Sequence, residues 1–162
     1  HWMVHSFPTR RSSDLLEASL LLFYTGVSRE SAKVISDQSD NVRSGQGKTI
    51  EAMHGIKEEA IRMKECLLRG DFAGIVDSMR EGWENKKRTS SSVSTGHIEE
   101  IYNAAIEAGA LAGKVSGAGG GGFMMFFVPP ERRMDVIQTL SGFQVQVSNC
   151  HFTSHGTQAW RI

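Results

Sequence analysis

Cysteine is nearly missing from this chain: the 162 residues hold only Cys66 and Cys150. Two cysteines cannot build a disulfide framework, and they read as reduced, intracellular thiols. A surplus of charge is missing as well. Eighteen Lys plus Arg balance eighteen Asp plus Glu, which removes the electrostatic case for a general nucleic-acid binder. Long apolar runs are absent too; the longest, residues 123–128, falls far short of the ~20 residues a membrane span requires. No apolar core near the start suits a signal peptide. With 40% apolar and 22% charged residues, composition also argues against disorder. What remains is one ordinary domain, expected to be soluble and cytoplasmic, with neither nucleic acid nor membrane as partner.

The first residues look foreign. Ser6-Phe7-Pro8-Thr9-Arg10-Arg11-Ser12-Ser13-Asp14-Leu15 resembles, letter for letter, the translation of a DNA-sequencing adapter. Residues 1–15 are therefore expected to be an artefactual arm outside the fold, the alternative being a short natural arm, and residues 16–162 to form the domain.

From Leu16 the pattern is regular. Leu20-Leu21-Leu22-Phe23-Tyr24, closed by Thr25-Gly26, predicts a buried strand. Ser28 offers an N-cap for a helix over residues 30–42, and Ser44-Gly45-Gln46-Gly47 breaks the chain after it. Met53, Ile56, Ala60, Met63 and Leu67 then recur at helical spacing and read as core. Gly70-Asp71 separates that helix from a second, with Phe72, Ile75, Val76, Met79 and Trp83 inward. A third carries Ile98, Ile101, Tyr102, Ala105 and Ile106. Near the end, residues 123–128 predict a strand and Pro129-Pro130 opens a helix with Met134, Ile137 and Leu140 inward. Phe143, Val145 and Val147 alternate as a half-buried strand, and residues 157–162 predict a last one. Helices in the middle and strands at both ends give α+β, one sheet covered by helices on one side.

The most informative feature is Gly117-Ala118-Gly119-Gly120-Gly121-Gly122. Glycine weakens strands and costs entropy in loops, so such a run calls for positive φ or for close approach of backbone to a ligand. Successive unobstructed N–H groups can converge on phosphate or carboxylate oxygens. The run matches the dinucleotide fingerprint only formally, because it opens a strand where that fingerprint must open a helix. Gly45-Gln46-Gly47-Lys48-Thr49 ends like a Walker A loop, but Val42 stands where its first glycine belongs. A flexible linker is the bland alternative. Linkers are flanked by polar residues, whereas this run lies between Val115 and Phe123-Met124-Met125-Phe126.

Lys114-Val115-Ser116 with that glycine run and Phe123 resembles the third, glycine-rich motif of the GHMP small-molecule kinases. Tyr24-Thr25-Gly26-Val27-Ser28-Arg29, Trp83 with Lys86-Lys87-Arg88, and Pro129-Pro130 resemble the sugar-kinase branch in order and spacing. The resemblance covers residues 16–162. It implies the antiparallel, ferredoxin-like C-terminal domain of a two-domain enzyme that uses ATP and Mg²⁺ to phosphorylate a sugar or sugar phosphate, a heptose phosphate first among them. It also implies a missing N-terminal domain as partner, holding the main phosphate loop and the acidic machinery. The glycine loop, Gly117 to Gly122, then borders ATP and acceptor, and Trp83 and Lys86 are candidates for the substrate side.

No catalytic residue and no metal ligand can be nominated from this chain, so it is expected to be inactive alone. Phosphoryl transfer needs a cradle, a carboxylate-held Mg²⁺ and an oriented acceptor, and only a cradle is present. Glu131 and Asp135 suit the first turn of their own helix. Lys86-Lys87-Arg88 can pair with a phosphate or can simply be a solvated cationic helix end. Cys150, His151 and His155 have metal-binding residue types, but zinc wants four ligands and Cys66 lies on a helix stripe. The competing reading of the whole chain is a ligand-sensing or interaction module without catalysis. A Gly/Ser-rich phosphate loop upstream in the intact gene discriminates the two.

Overall fold

The structure is a computed structural model that describes residues 10–27, 31–148, 150–153 and 155–160. The bulky run Leu20–Tyr24 forms β1, in the interior of a four-stranded sheet. On one side it pairs antiparallel with β3, Phe123–Phe127, setting Leu21 opposite Phe126 and Phe23 opposite Met124. On its other side lies β4, Gln146–Ser148. β2, Ala112–Val115, pairs with the far edge of β3, giving the order β2-β3-β1-β4 with every pairing antiparallel. The chain leaves β1 through four helices and returns at β2, skipping the place that β3 fills. It then leaves β3 through one helix and returns at β4, beyond β1. Two interlocked crossovers of this kind are the ferredoxin-like arrangement. The fold is helix-rich α+β, as the element pattern implies.

Strand alternation sorts the side chains onto two faces. Leu21, Phe23, Val115, Met124 and Phe126 are fully buried on the first, against Ile98, Ile101 and Ala105 of α5 (Gly96–Glu107) and Val136 and Leu140 of α6 (Arg133–Leu140). Each such side chain contributes roughly 1.5–3 kcal/mol of transfer free energy. The second face is covered too, but only at one end. There Leu20, Ala112, Met125 and Phe127 meet Leu16 of α1 (Arg10–Ser19) and the start of α4 (Phe72–Thr89). Toward the other end Phe123 stays 45% exposed. Helix α1 runs across the boundary that the adapter resemblance places after residue 15; residues 1–9 of that arm lie outside the described residues.

Helix α3, Gly47–Arg69, and α4 form the tightest helix pair. Gly70 stops α3 in the left-handed conformation (φ 68°), its N–H reaching back to Cys66 and Leu67 carbonyls. The Asp71 carboxylate then caps α4 by accepting from the Gly74 N–H at 2.9 Å. Three glycines thin the seam. A Cβ on Gly74 would stand 2.5 Å from Cys66 Sγ, and one on Gly55 would stand 2.5 Å from the Asn85 amide. One on Gly82 would meet only Glu59 Cβ, at 3.8 Å.

Several expectations need correction. The stripe Met53, Ile56, Ala60, Met63 and Leu67 is not core: the buried residues of α3 are Thr49, Ala52 and Cys66, Leu67 is exposed, and the other four face a groove. Met134 is 68% exposed, because a turn of 3-10 helix over Pro130–Arg132 resets the phase and turns Val136 and Leu140 inward. Phe143 ends a second such turn, Gln144 follows at φ 57°, and only Gln146–Ser148 pair as strand. Val147 is 43% exposed. Residues 157–160 form no strand; residues 161 and 162 lie outside the described set, as does the predicted cap Ser28. Helix α2, predicted over 30–42, spans Ser31–Arg43.

Candidate functional site

Residues 117–122 form the turn between β2 and β3, and all five glycines hold positive φ. At Gly119 (φ 114°) the need is double. A Cβ there would sit 2.9 Å from the Val93 carbonyl oxygen and 3.0 Å from Val93 Cα, rigid backbone in both cases. The loop is pinned along its length. Ser116 N–H donates to Phe123 O at 2.8 Å, Gly120 N–H to Val93 O at 2.7 Å, and Gly122 N–H to Val27 O at 2.7 Å. Gly122 O accepts from Thr25 N–H at 2.8 Å. A linker carries no such ties. Two of the amides that an open nest would offer are thus spent on the protein itself, and those of Gly117, Ala118, Gly119 and Gly121 have no hydrogen-bond partner among the described residues.

Over the loop lies a cavity of about 310 Å³, lined by Ser31 at the start of α2, by Ser116 and by Gly117, Ala118, Gly119, Gly121, Gly122 and Phe123. Its polar groups are backbone amides and two hydroxyls, next to the positive end of α2. That donor set fits phosphate oxygens. It holds no carboxylate, so it does not by itself fit Mg²⁺. Among the described residues no group of three or more His, Cys, Asp or Glu is placed to hold a metal ion.

Lys86 reaches the loop: its Nζ donates to the Gly117 carbonyl and ties the last turn of α4 to the glycine run. Burial pushes its pKa below the usual lysine range, and the charge of Lys114 pushes the same way. Trp83 is 1% exposed and stacks on Tyr102, ring centroids 6.4 Å apart, with Lys87 Nζ 5.9 Å from the centre of the indole. Lys87 itself turns to Glu84, at 2.7 Å, and Arg88 to Glu51, at 3.0 Å. Of the cationic triplet, therefore, only Lys86 comes to the loop.

Lys86, Trp83, Gly117 and Ala118 also line a larger cavity of about 480 Å³ between α3 and α4. Sequence reasoning missed its second cation, Lys114. Once β2 is recognised the signal is plain, since Lys114 alternates with buried Val115 and must point to the opposite face. It missed Val93 entirely, because the contribution of Val93 is a carbonyl, which any residue supplies. At the far end of the molecule His151 Nδ1 lies 3.1 Å from Glu17 Oε1 and the Phe152 N–H donates to Glu17 Oε2 at 2.5 Å. These bonds, the backbone one foremost, hold the Glu17 carboxyl below its usual range. No helix among the described residues is long and apolar enough to cross a membrane.

The chain is 42% identical over 147 residues to the D-glycero-alpha-D-manno-heptose 7-phosphate kinase of Campylobacter jejuni, an alignment that takes in 91% of this chain and 43% of that enzyme. A D-glycero-D-manno-heptose 1-phosphate kinase from Bacteroides thetaiotaomicron superposes with a TM-score of 0.55 at 34% identity, over 86% of this chain and 34% of the other. The L. major mevalonate kinase shares the fold, with a TM-score of 0.69 at 22% identity over 76% of this chain and 37% of the other. The chain thus spans less than half the length of each. Residues 63–141 match the family of GHMP kinases C terminal. Over residues 63–141 the chain thus resembles the C-terminal domain of the GHMP kinases, and its similarity to a heptose phosphate kinase extends over 91% of its length.

Proposed function

We propose that this chain, with residues 16–162 as its domain, forms the C-terminal part of an ATP-dependent cytoplasmic sugar kinase. Its acceptor is a heptose 7-phosphate, and its glycine loop borders the transferred phosphoryl group. One observation carries the reading: five glycines at positive φ, pinned at both ends, with four amides left over a cavity whose donors suit phosphate oxygens. The likeness to two heptose phosphate kinases supports the acceptor class.

ATP would supply the phosphoryl group, and Mg²⁺, for which the loop has no carboxylate ligand, would screen its charge while held by carboxylates outside the loop. The amides of Gly117, Ala118, Gly119 and Gly121 take phosphate oxygens as acceptors, and the hydroxyls of Ser31 and Ser116 add donors at the rim. Lys86 holds the loop from behind and brings a positive charge to its base. Pinning matters because positioning supplies most of the catalysis in phosphoryl transfer. The loop lining lacks a carboxylate, so the base that orients the acceptor hydroxyl and the ligands of Mg²⁺ are assigned to an N-terminal domain. Without that domain the loop faces open water, where each amide exchanges a phosphate oxygen for a water oxygen at little gain.

The experiment is an ATP-turnover assay across sugars and sugar phosphates, heptose 7-phosphate included. The purified chain is assayed first alone and then with an N-terminal kinase domain supplied in trans. Silence followed by activity on complementation is the expected result. Turnover by the chain alone removes the division of labour. Silence in both arms, with a ligand still bound, favours a sensing module.

A further inference from the structure

The cavity between α3 and α4 does not suit a sugar. Its walls are Met53, Ile56, Ala60 and Met63 of α3 and Met79 and Gly82 of α4. A sugar carries a hydroxyl on nearly every carbon, and those set against thioether and aliphatic groups would lose their hydrogen bonds to water. At about 480 Å³ the space is nevertheless of the size that small molecules occupy.

Of its polar side chains, Gln38 and Ser78 are already hydrogen-bonded, to Thr89 Oγ1 and the Glu59 carbonyl; others are not. Among the described residues, two buried side-chain atoms lack any hydrogen-bond partner, Glu59 Oε2 and Trp83 Nε1, and both belong to residues lining this one cavity. An unpaired buried donor or acceptor costs roughly 1–3 kcal/mol, so an occupant that pairs Trp83 Nε1 and the Glu59 oxygen turned away from Arg62 is favoured here, the other Glu59 oxygen lying 3.7 Å from Arg62 Nη1. At the end nearest the glycine loop, Lys86 and Lys114 face the same space, two like charges whose repulsion an anion relieves. Gly82 completes the pattern. It lies mid-helix at ordinary helical φ, where alanine is worth about 1 kcal/mol more, and a Cβ there would meet nothing closer than 3.8 Å. No packing demand explains it, and its missing side chain keeps the groove open.

We infer that this groove is a binding site for a small amphipathic organic anion. The ligand has an aromatic or aliphatic body along the α3 stripe, a hydrogen-bond donor for Glu59, an acceptor for Trp83, and an acidic group for Lys86 and Lys114. The site is separate from the cavity over the glycine loop, although both share Gly117 and Ala118 as wall. The inference does not depend on the kinase reading.

The probe is 8-anilinonaphthalene-1-sulfonate, whose fused rings, anilino N–H and sulfonate match that donor set. It is titrated into the full chain carrying Trp2→Phe and Trp160→Phe, so that Trp83 is the sole tryptophan. Saturable binding of one dye per chain, with quenching of Trp83 emission by energy transfer, is expected. Gly82→Met places a thioether in the groove and should weaken binding by about tenfold or more, while Glu59→Leu should weaken it severalfold and raise the melting temperature. If Gly82→Met fails to fold, Gly82→Ala serves, with a smaller loss of affinity in a chain at least as stable. Ile35→Ser, on the exposed side of α2, should leave binding unchanged. Equal affinity in the original chain, the Gly82 variants and Glu59→Leu assigns the dye to other apolar surfaces and overturns the proposal. Displacement by glucose 6-phosphate overturns the ligand class. Neither outcome touches the assignment of the glycine loop, which nucleotide assays test separately.

Discussion

Glycine recurs in two parts of this molecule and serves opposite ends in them. In the β2–β3 turn it permits backbone angles, and all five glycines hold positive φ. Along the α3–α4 seam the backbone is ordinary helix, and glycine removes volume. Gly55 and Gly74 let Asn85 and Cys66 approach to distances that a Cβ forbids, whereas Gly82 leaves space that nothing fills. The loop spends conformational entropy on a backbone shape that residues with side chains rarely adopt. The seam spends helix propensity on contact between two elements of the same chain. A count of glycines does not distinguish these uses; φ and the nearest atom do.

Substitutions sharpen that contrast. The largest effect is expected in function. In the kinase assembled with its N-terminal domain, Gly120→Val should cut kcat by about 100-fold or more, because small misplacements of reacting groups are expensive. The melting temperature should fall far less, and unchanged turnover in a folded Gly120→Val enzyme would remove the loop from the site. Gly119→Ala comes next, with a loss of about 2–3 kcal/mol in denaturant unfolding, since it combines a strained φ with a clash against Val93 backbone. At the seam, Gly74→Ala should cost about 1–2 kcal/mol, and Cys66→Ala should recover part of it by clearing the sulfur from the new methyl. A loss that Cys66→Ala does not reduce would mean that the Asp71 carboxylate, 2.6 Å from the same Cβ position, and not the sulfur selects Gly74. Gly82→Ala should run the other way and stabilise the chain by up to about 1 kcal/mol.

The smallest expected effect concerns pH. The pKa of Lys86 is depressed from the ordinary 10.5, so the folded chain releases that proton before the unfolded chain does. Stability from this group is fully present above 10.5 and is lost as pH falls through the lowered value. A modest rise in stability on the alkaline side, absent in Lys86→Met, is what thermal melts across that window should record.

Much of this was legible in the chain because local chemistry and tertiary context agree. Leu20–Tyr24 reads as strand and is strand; Gly70-Asp71 reads as a stop and a start, and both cap atoms are in place. β2 was not legible. Ala112-Gly113-Lys114-Val115 has little strand character, and Gly113 stands there because a Cβ would lie 2.4 Å from the Phe126 ring, a neighbour thirteen residues away. Periodicity found the apolar stripe of α3 correctly but could not tell a core from a groove, since both are apolar and on one face. Trp83 and Lys86 were both drawn from one short motif. The fold sends the indole into the core and the ammonium to the loop, as positions three apart on a half-buried helix allow.

A loop made almost wholly of glycine has no side chains through which it can be tuned. Whatever adjusts its shape must act through the groups that grip it: the Val93 and Val27 carbonyls, the Thr25 amide and the Lys86 ammonium. Three of these are backbone, indifferent to the residue that carries them. Lys86 is the exception among the described residues, a grip made by a side chain. It also stands in the wall of the α3–α4 groove, where a bound anion would compete with Gly117 O for its protons. A substitution at Lys86 would thus leave every residue of the loop in place and still change how it is held.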